Sequence, residues 1–381
     1  MARKTSDSKH HSNTVSEPAA KCRRALAAAA ADGASLSNTA PANYITCKIL
    51  RSGVDSLYVS HPGKLLGGLE ALLETAKLNA QSDDAEQQAL ASVVLSDHCL
   101  TVHGRGKGNF PFVLSNNWYH LQVSRARSER MPMCYSQVGS ELLTRTGFKA
   151  SVRGLNNLVS VMTDNFEHPK VSRIDLCVDV VLDGNLRDIP WEHWVSRSNK
   201  INFRSEGKEL TGISFGEGGQ IMCRIYNKTL EVQVHGKTFF YDTWEKCGWT
   251  GEEVWRVEFQ FKRDALRELG IKSVQDVVEK INGLWVYATS HWLQLKRPRV
   301  ILNKPRGQQN NSTRWELYPF WEQIQQVRFS DTEHECLTRV SKASKPNDDF
   351  LFVNGLGSIT SFMATRGIDQ LEDAWPLYEA E

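Results

Sequence analysis

The amino-acid sequence predicts an α+β fold: a central, largely antiparallel sheet with one polar face, and helices packed on the other face. Three observations predict it. Val171–Val180, Ile221–Lys228 and Val254–Phe261 alternate strongly between apolar and polar residues, the period of a half-buried strand. Segments with apolar residues at helical spacing lie before and after them. Strands and helices follow one another in mixed order, without the regular β-α-β alternation that marks a parallel sheet.

Taken in chain order, residues 1–43 are rich in Ala, Ser, Asn, Lys and Arg and have almost no large apolar side chain to bury. They read as a disordered basic arm. Tyr44–Ser60 reads as two short strands around an Arg51-Ser52-Gly53 turn, and Lys64–Ala80 as a helix with Leu65, Leu66, Leu69, Leu72, Leu73 and Ala76 on one face. Val93–Val102 and Trp118–Ser124 read as extended, with the glycine-rich basic loop Gly104-Arg105-Gly106-Lys107-Gly108 between them. Glu141–Arg145 and Leu155–Phe166 read as helices. Beyond the three alternating strands, Asp264–Leu269 and Ser273–Leu295 read as helices, the second with Val274, Val277, Val278, Ile281, Leu284 and Trp285 in register. The expected organisation is an arm over 1–43, a folded domain over 44–299, and a basic linker and acidic C-terminal region over 300–381.

Composition narrows the class. With 381 residues, 40% of them hydrophobic and 24% charged, the chain is long enough to bury a real core without disulfide staples. Its eight cysteines form no C-x-x-C pair and have no histidine at zinc spacing, which argues against a metal–thiolate site and suits reduced thiols in a cytosol. No run of about 18 apolar residues occurs, so the expectation is a soluble protein of the bacterial cytoplasm with no membrane partner. The net charge of +2 hides an uneven distribution: Lys296–Arg314 holds six cations and no acid, whereas Trp315–Glu381 holds twelve acids and five cations. A basic stretch of this kind suits a nucleic-acid backbone, with Lys296, Arg297, Arg299, Lys304 and Arg306 as candidate DNA contacts. A solvated linker reads equally well from charge alone.

The three strands carry the chemistry. Period-2 alternation puts Arg173, Asp175, Cys177 and Asp179 on one face, aligns Arg224, Tyr226 and Lys228 on a second strand, and Arg256, Glu258 and Gln260 on a third. Paired in one sheet, they gather carboxylates, a tyrosine and several cations on one surface. Asp175, Glu258 and Asp179 supply hard oxygen ligands suited to Mg²⁺ or Mn²⁺, Tyr226 supplies a hydroxyl able to attack a phosphodiester, and Arg224 and Lys228 can screen phosphate charge. The same residues also read as structural ion pairs on a solvated sheet face.

Val171-Ser172-Arg173-Ile174-Asp175-Leu176-Cys177-Val178-Asp179, Arg224-Ile225-Tyr226-Asn227-Lys228-Thr229-Leu230-Glu231 and Val254-Trp255-Arg256-Val257-Glu258-Phe259-Gln260 resemble, in order and spacing, motifs of the replication initiation factor (Rep_trans) family. Met133–Leu143, Gly248-Trp249 and Leu284-Trp285 through Trp292-Leu293 are similar to family sequences too, so the resemblance spans about Tyr44–Arg299. It implies a metal-dependent, site-specific DNA endonuclease and strand transferase of rolling-circle plasmids and phages. Such an enzyme cuts one strand through a single tyrosine, stays linked to the 5′ phosphate and leaves a 3′ hydroxyl primer. Carried over by motif, Tyr226 is the nucleophile, with Tyr135 and Tyr241 as alternatives in matching stretches. Asp175, Glu258 and Asp179 are the metal ligands, and Arg224 and Lys228 assist at the phosphate. The implied partners are origin DNA, single-stranded at the nick, and a host helicase, with a homodimer among the assemblies allowed. A relaxase of a conjugative element, or a DNA-binding regulator that does not nick, would share the motifs. No His-x-His pair occurs, which favours a carboxylate site over a histidine one.

Overall fold

The computed structural model describes residues 45–128, 131–298, 315–331, 337–340 and 348–379. The expected basic arm over 1–43 lies outside these residues. The strands are β1 (Thr46–His61), β2 (Ser92–Leu95), β3 (His98–Val102), β4 (Phe112–Ser115), β5 (Tyr119–Val123), β6 (Cys134–Val138), β7 (Lys170–Asp183), β8 (Trp194–Ser196), β9 (Ile201–Glu206), β10 (Glu209–Phe215), β11 (Ile221–Asn227), β12 (Val254–Lys262), β13 (Leu293–Arg297) and β14 (Glu316–Leu317). The helices are α1 (Gly67–Ala80), α2 (Ala85–Ala89), α3 (Ser140–Thr146), α4 (Phe148–Ser160), α5 (Lys228–His235), α6 (Phe239–Glu245), α7 (Arg263–Glu268), α8 (Val274–Tyr287), α9 (Pro319–Gln325), α10 (Asp348–Arg366) and α11 (Leu371–Glu379). None of the described helices is long and apolar enough to cross a membrane.

Eleven strands form one sheet in the order β2-β3-β4-β5-β6-β1-β7-β12-β11-β10-β9, and every pairing in it is antiparallel. The fold is therefore α+β on an antiparallel sheet, as the mixed order of elements predicts. β1 is the seam. Its 16 residues pair with β7 along almost their whole length and with β6 over Leu57–His61, joining a β2–β6 half to a β7–β12 half. The sequence reads this segment as two strands around a turn, and the structure corrects it to one strand. Register irregularities at Ile49/Arg51, Val54/Ser56 and Tyr58/Val59 break the alternation and imitate a turn.

One face of the sheet is apolar. Ile174, Leu176 and Val178 of β7, Val257, Phe259 and Phe261 of β12, and Ile225 of β11 share a core with Leu266, Val277, Leu284 and Trp285 of α7 and α8. Phe259 meets Trp285 edge to face, with ring centroids 5.5 Å apart. A capping box between Ser273 and Asp276 starts α8. The helix stops at Tyr287, passes through a π turn over Ala288–Trp292 and gives way to β13, so the expected helix to Leu295 ends eight residues early. The segment 315–331 belongs to this core as well: Phe320, Trp321 and Ile324 are buried in it, and the Trp285 indole donates to the Ile324 carbonyl at 2.7 Å.

Helices also lie on the polar face, contrary to the expectation that all pack on the other side. Val232 of α5 and Phe240 and Trp244 of α6 cluster with Val254 and Leu50 over one end of it, and Thr144 of α3 accepts a hydrogen bond there from Arg51. The other end of that face is open.

His61 closes β1 inside the core. Nε2 lies 2.9 Å from the Ser136 hydroxyl, Nδ1 has no partner among the described residues, and burial holds the imidazole down at about 4. Between the unfolded value near 6.5 and about 4, the unfolded chain binds the extra proton, so stability falls as pH falls through that window. The expected loss is about 2 kcal/mol between pH 7 and pH 5. Urea unfolding at the two pH values should show a markedly smaller drop in His61→Asn than in the wild type.

Candidate functional site

β12 lies between β7 and β11, and the registers set three polar rows across these strands. Asp179 faces Arg256, which faces Tyr226; Cys177 faces Glu258, which faces Arg224; Asp175 faces Gln260. Directly opposed side chains on one face of an antiparallel pair are contact neighbours, so the alternating residues of the sequence become one surface. Asn227 ends β11 by accepting the Leu230 amide at 3.0 Å as the N-cap of α5, which leaves Tyr226 at the strand's last outward position. Gly212 of β10 lies opposite Tyr226, where a Cβ would come within 3.2 Å of the tyrosine Cβ.

The surface divides into two compartments. The inner one is sealed. Arg256 is wholly buried; its Nε and Nη2 donate to Asp179 at 2.5 and 2.8 Å, and Nη1 donates to Asp55, which projects from the Val54/Ser56 irregularity of β1. The Trp244 indole donates to the same Asp179 carboxylate at 2.9 Å. Arg51 donates to Cys177 Sγ at 2.8 Å and to Thr144 at 2.9 Å. Arg256, Arg51 and Lys228 all lie over the Phe240 ring, 4.7, 5.4 and 4.5 Å from its centroid. Burial alone would raise both carboxyls, but the cations, Arg256 first, outweigh it and hold Asp55 and Asp179 below the ordinary range.

The outer compartment opens to solvent. The Asp175 and Glu258 side chains are 1% exposed, while their cations, Arg173 and Arg224, are 27% and 35% exposed. Arg173 grips Asp175 in a fork at 2.9 and 2.5 Å. Arg224 donates to Glu258 Oε1 and lies 4.0 Å from Asp175, bridging the two carboxylates. Burial, with Glu258 adding to it, pushes Asp175 up to about 7 against the pull of Arg173 and Arg224. The half-buried Tyr226 donates its hydroxyl to Glu258 Oε2 at 3.0 Å. Burial first, then Glu258, keeps this phenol well above its ordinary value, so it is a neutral donor facing a carboxylate acceptor.

Tyr226, Arg224, Asp175 and Glu258 therefore come together, while two other candidates stand apart. Both Asp179 oxygens are taken by Arg256 and Trp244, inside the sealed compartment and away from Asp175. Lys228 is the first residue of α5 rather than a strand residue; it is 1% exposed, bonds Glu231 and lies under the Tyr226 and Phe240 rings, so its ammonium does not reach the open surface. Tyr135 is on β6, three strands from Glu258, and Tyr241 stacks on Trp249 at 5.3 Å. Of the basic stretch, Lys296 and Arg297 are in β13, the former largely buried and the latter over the Tyr318 ring at 4.8 Å. Arg299, Lys304 and Arg306 lie outside the described residues. Arg51, Asp55 and Trp244 are site residues that the strand reading missed; Arg51, Gly53 and Asp55 do recur with period 2, but the turn reading hides it.

Among the described residues, no three His, Cys, Asp or Glu side chains gather as a cation-binding group. Asp175 and Glu258 form a two-carboxylate pair bridged by a cationic head group. Their four oxygens are taken by Arg173, Arg224 and Tyr226, so the pair could serve Mg²⁺, which takes one or two carboxylates and completes its shell with water and substrate phosphate, only where Arg173 and Arg224 turn away.

No protein-family model matches the chain, and no curated protein matches it. Among solved structures it is similar to a rolling circle replication initiator protein from Geobacillus stearothermophilus, at 16% sequence identity over 76% of this chain and 100% of that one, with a TM-score of 0.41. At that identity and score the likeness does not reach residues or chemistry.

Removing one partner of the sealed network leaves buried charge without compensation. Arg256→Met strands Asp179 and Asp55 and is expected to cost about 3–5 kcal/mol, measured by urea unfolding at neutral pH.

Proposed function

We propose that this chain nicks one strand of DNA and remains joined to it, as an initiator of rolling-circle replication, with Tyr226 as nucleophile. The observation that carries the reading is the Tyr226 hydroxyl at 3.0 Å from Glu258 Oε2, at the open edge of a face lined by Arg224, Arg173 and Asp175. A phenol held neutral is a poor nucleophile until a base takes its proton, and Glu258 is in place to do so. The Tyr226 oxygen then bonds to phosphorus, the bond from phosphorus to the 3′ oxygen breaks, and that oxygen takes a proton from water. The products are a 5′-phosphotyrosyl link and a free 3′ hydroxyl primer.

Arg224 and Arg173 stand where a phosphate would approach, and their exposed guanidiniums suit the charge that builds on its oxygens. Asp175 and Glu258 are the residues that would hold Mg²⁺ or Mn²⁺, with the Arg224 head swinging from between them onto the phosphate. A metal bound there would polarise the phosphate and favour the ionised phenol. Asp179 and Lys228 have a different part in this reading: the first fixes Arg256, and the second fills the floor beneath the Tyr226 ring. The substrate is origin DNA, single-stranded at the nick, and a host helicase would open the duplex beyond it.

The test uses single-stranded DNA tiling the element that encodes the chain, with Mg²⁺, Mn²⁺ or chelator, and reads covalent adduct on a denaturing gel. Wild type should form a metal-dependent adduct, Tyr226→Phe none, and Glu258→Gln should cleave about 10²–10⁴-fold more slowly. An adduct persisting in Tyr226→Phe would move the nucleophile to another residue. Specific binding with no adduct at any metal concentration would leave a DNA-binding regulator.

A further inference from the structure

We infer that the open half of the sheet, β3 to β6 with the loop Gly104–Gly108, is a binding track for single-stranded DNA that leads to the Tyr226 site; the choice of DNA rests on the nicking reading. The polar face does not end at Asp175. The registers Gln122↔Tyr135 and His120↔Gln137 on β5 and β6, and Tyr58↔Gln137 on β1, continue it across strands whose outward side chains are half-exposed.

A row of planar groups runs from β7 over β1 and β6 to the loop before β4. The Arg173 guanidinium, which holds Asp175, lies 4.9 Å from the centroid of Tyr58; Tyr58 lies 6.2 Å from Tyr135, and Tyr135 lies 6.5 Å from Phe110. The two aromatic pairs are tilted by 37° and 30°, so none of the rings closes face to face on its neighbour. Half-exposed rings in this arrangement leave faces on which bases can stack, and stacking accepts any base.

The loop is built to place Phe110. Lys107 and Phe110 exchange backbone hydrogen bonds at 3.0 and 3.1 Å, and a Cβ on Gly106 would lie 2.4 Å from the Phe110 carbonyl oxygen, so only glycine lets the loop fold back this far. A depression of about 530 Å³ beside Phe110 is lined by Arg127 and by Arg125, the latter paired with Glu70 and Glu74 of α1. The charge is one-sided: the 31 residues His98–Ser128 contain no Asp or Glu and four Lys or Arg. Rings on β1 and β6 beside a loop that carries Arg105 and Lys107 complement an extended polyanion with exposed bases, and the stacked pairs of a duplex offer them no free base face.

The test is fluorescence anisotropy with labelled oligothymidine and with a duplex of the same length. Tyr135→Ala and Phe110→Ala should each weaken oligothymidine binding about tenfold, and Tyr135→Phe should bind like wild type. Lys107→Gln should lower the slope of log affinity against log salt by about 0.7. Tyr226→Phe should bind like wild type while forming no adduct. The track is overturned if both alanine variants bind oligothymidine like wild type, or if they lose duplex binding to the same degree. Ring-dependent binding by a wild type that forms no adduct would keep the track and remove the nicking reading. An adduct with no ring dependence would do the reverse.

Discussion

The buried guanidinium of Arg256 is the constraint on which the site depends. It ties β12 to β7 through Asp179 and to β1 through Asp55, joining three strands contributed by distant parts of the chain. Taking these charges out of water is costly, and the arrangement holds only because the charges balance and the hydrogen bonds are met. Arg256, Arg51 and Lys228, with the partly exposed Lys237, stand against Asp179, Asp55 and Glu231. The Phe240 ring and the Trp244 indole close the space above them. A one-residue slip of β12 on β7 would turn Arg256 to the apolar face and strand Asp179, so the network also fixes the register that puts Glu258 opposite Arg224.

Chemistry then depends on where this network stops. Along β7 the outward residues run from Asp179 through Cys177 to Asp175 and Arg173, and exposure begins only at the last of these. Tyr226 sits at the boundary: its ring neighbours Arg256 across the strand pair, while its hydroxyl reaches the carboxylate of the open compartment. The nearby cations are wholly buried inside and partly exposed outside. Arg256 has both of its carboxylates and no solvent, whereas Arg224 and Arg173 are held at one end and exposed at the other. Of these cations only the outer pair is exposed where the proposed reading brings a phosphate.

The sequence made the three strands of the site legible because their alternation is unbroken, and the pairing of β7, β12 and β11 brings Asp175, Glu258, Arg224 and Tyr226 together. Alternation says which residues share a face, but not which of them lie under a helix. That is why Asp179 and Lys228 look equivalent to their neighbours in sequence and are sealed in the fold. β1 was hidden for the opposite reason: three register irregularities erase the period-2 signal in the strand that carries Arg51 and Asp55. The contribution of Trp321 to the core was masked by the acidic composition around it, since local charge says nothing of a single indole that finds a carbonyl, here that of Thr289 at 3.0 Å.

The helices that seal one end of the polar face also set the direction from which a chain can reach Tyr226. α3, α5 and α6 stand over the Asp179 end, so in the proposed reading the approach is from the Asp175 end. β1 continues that end without a break into the β2–β6 half, because it is one strand shared by both. The irregularities that disguise β1 in the sequence therefore have two effects. At Val54/Ser56 one projects Asp55 to complete the Arg256 network, and farther along, the same strand presents Tyr58 to Arg173 at the start of the open half. The element that locks the interior of the site is thus also the one that joins its mouth to the rest of the sheet.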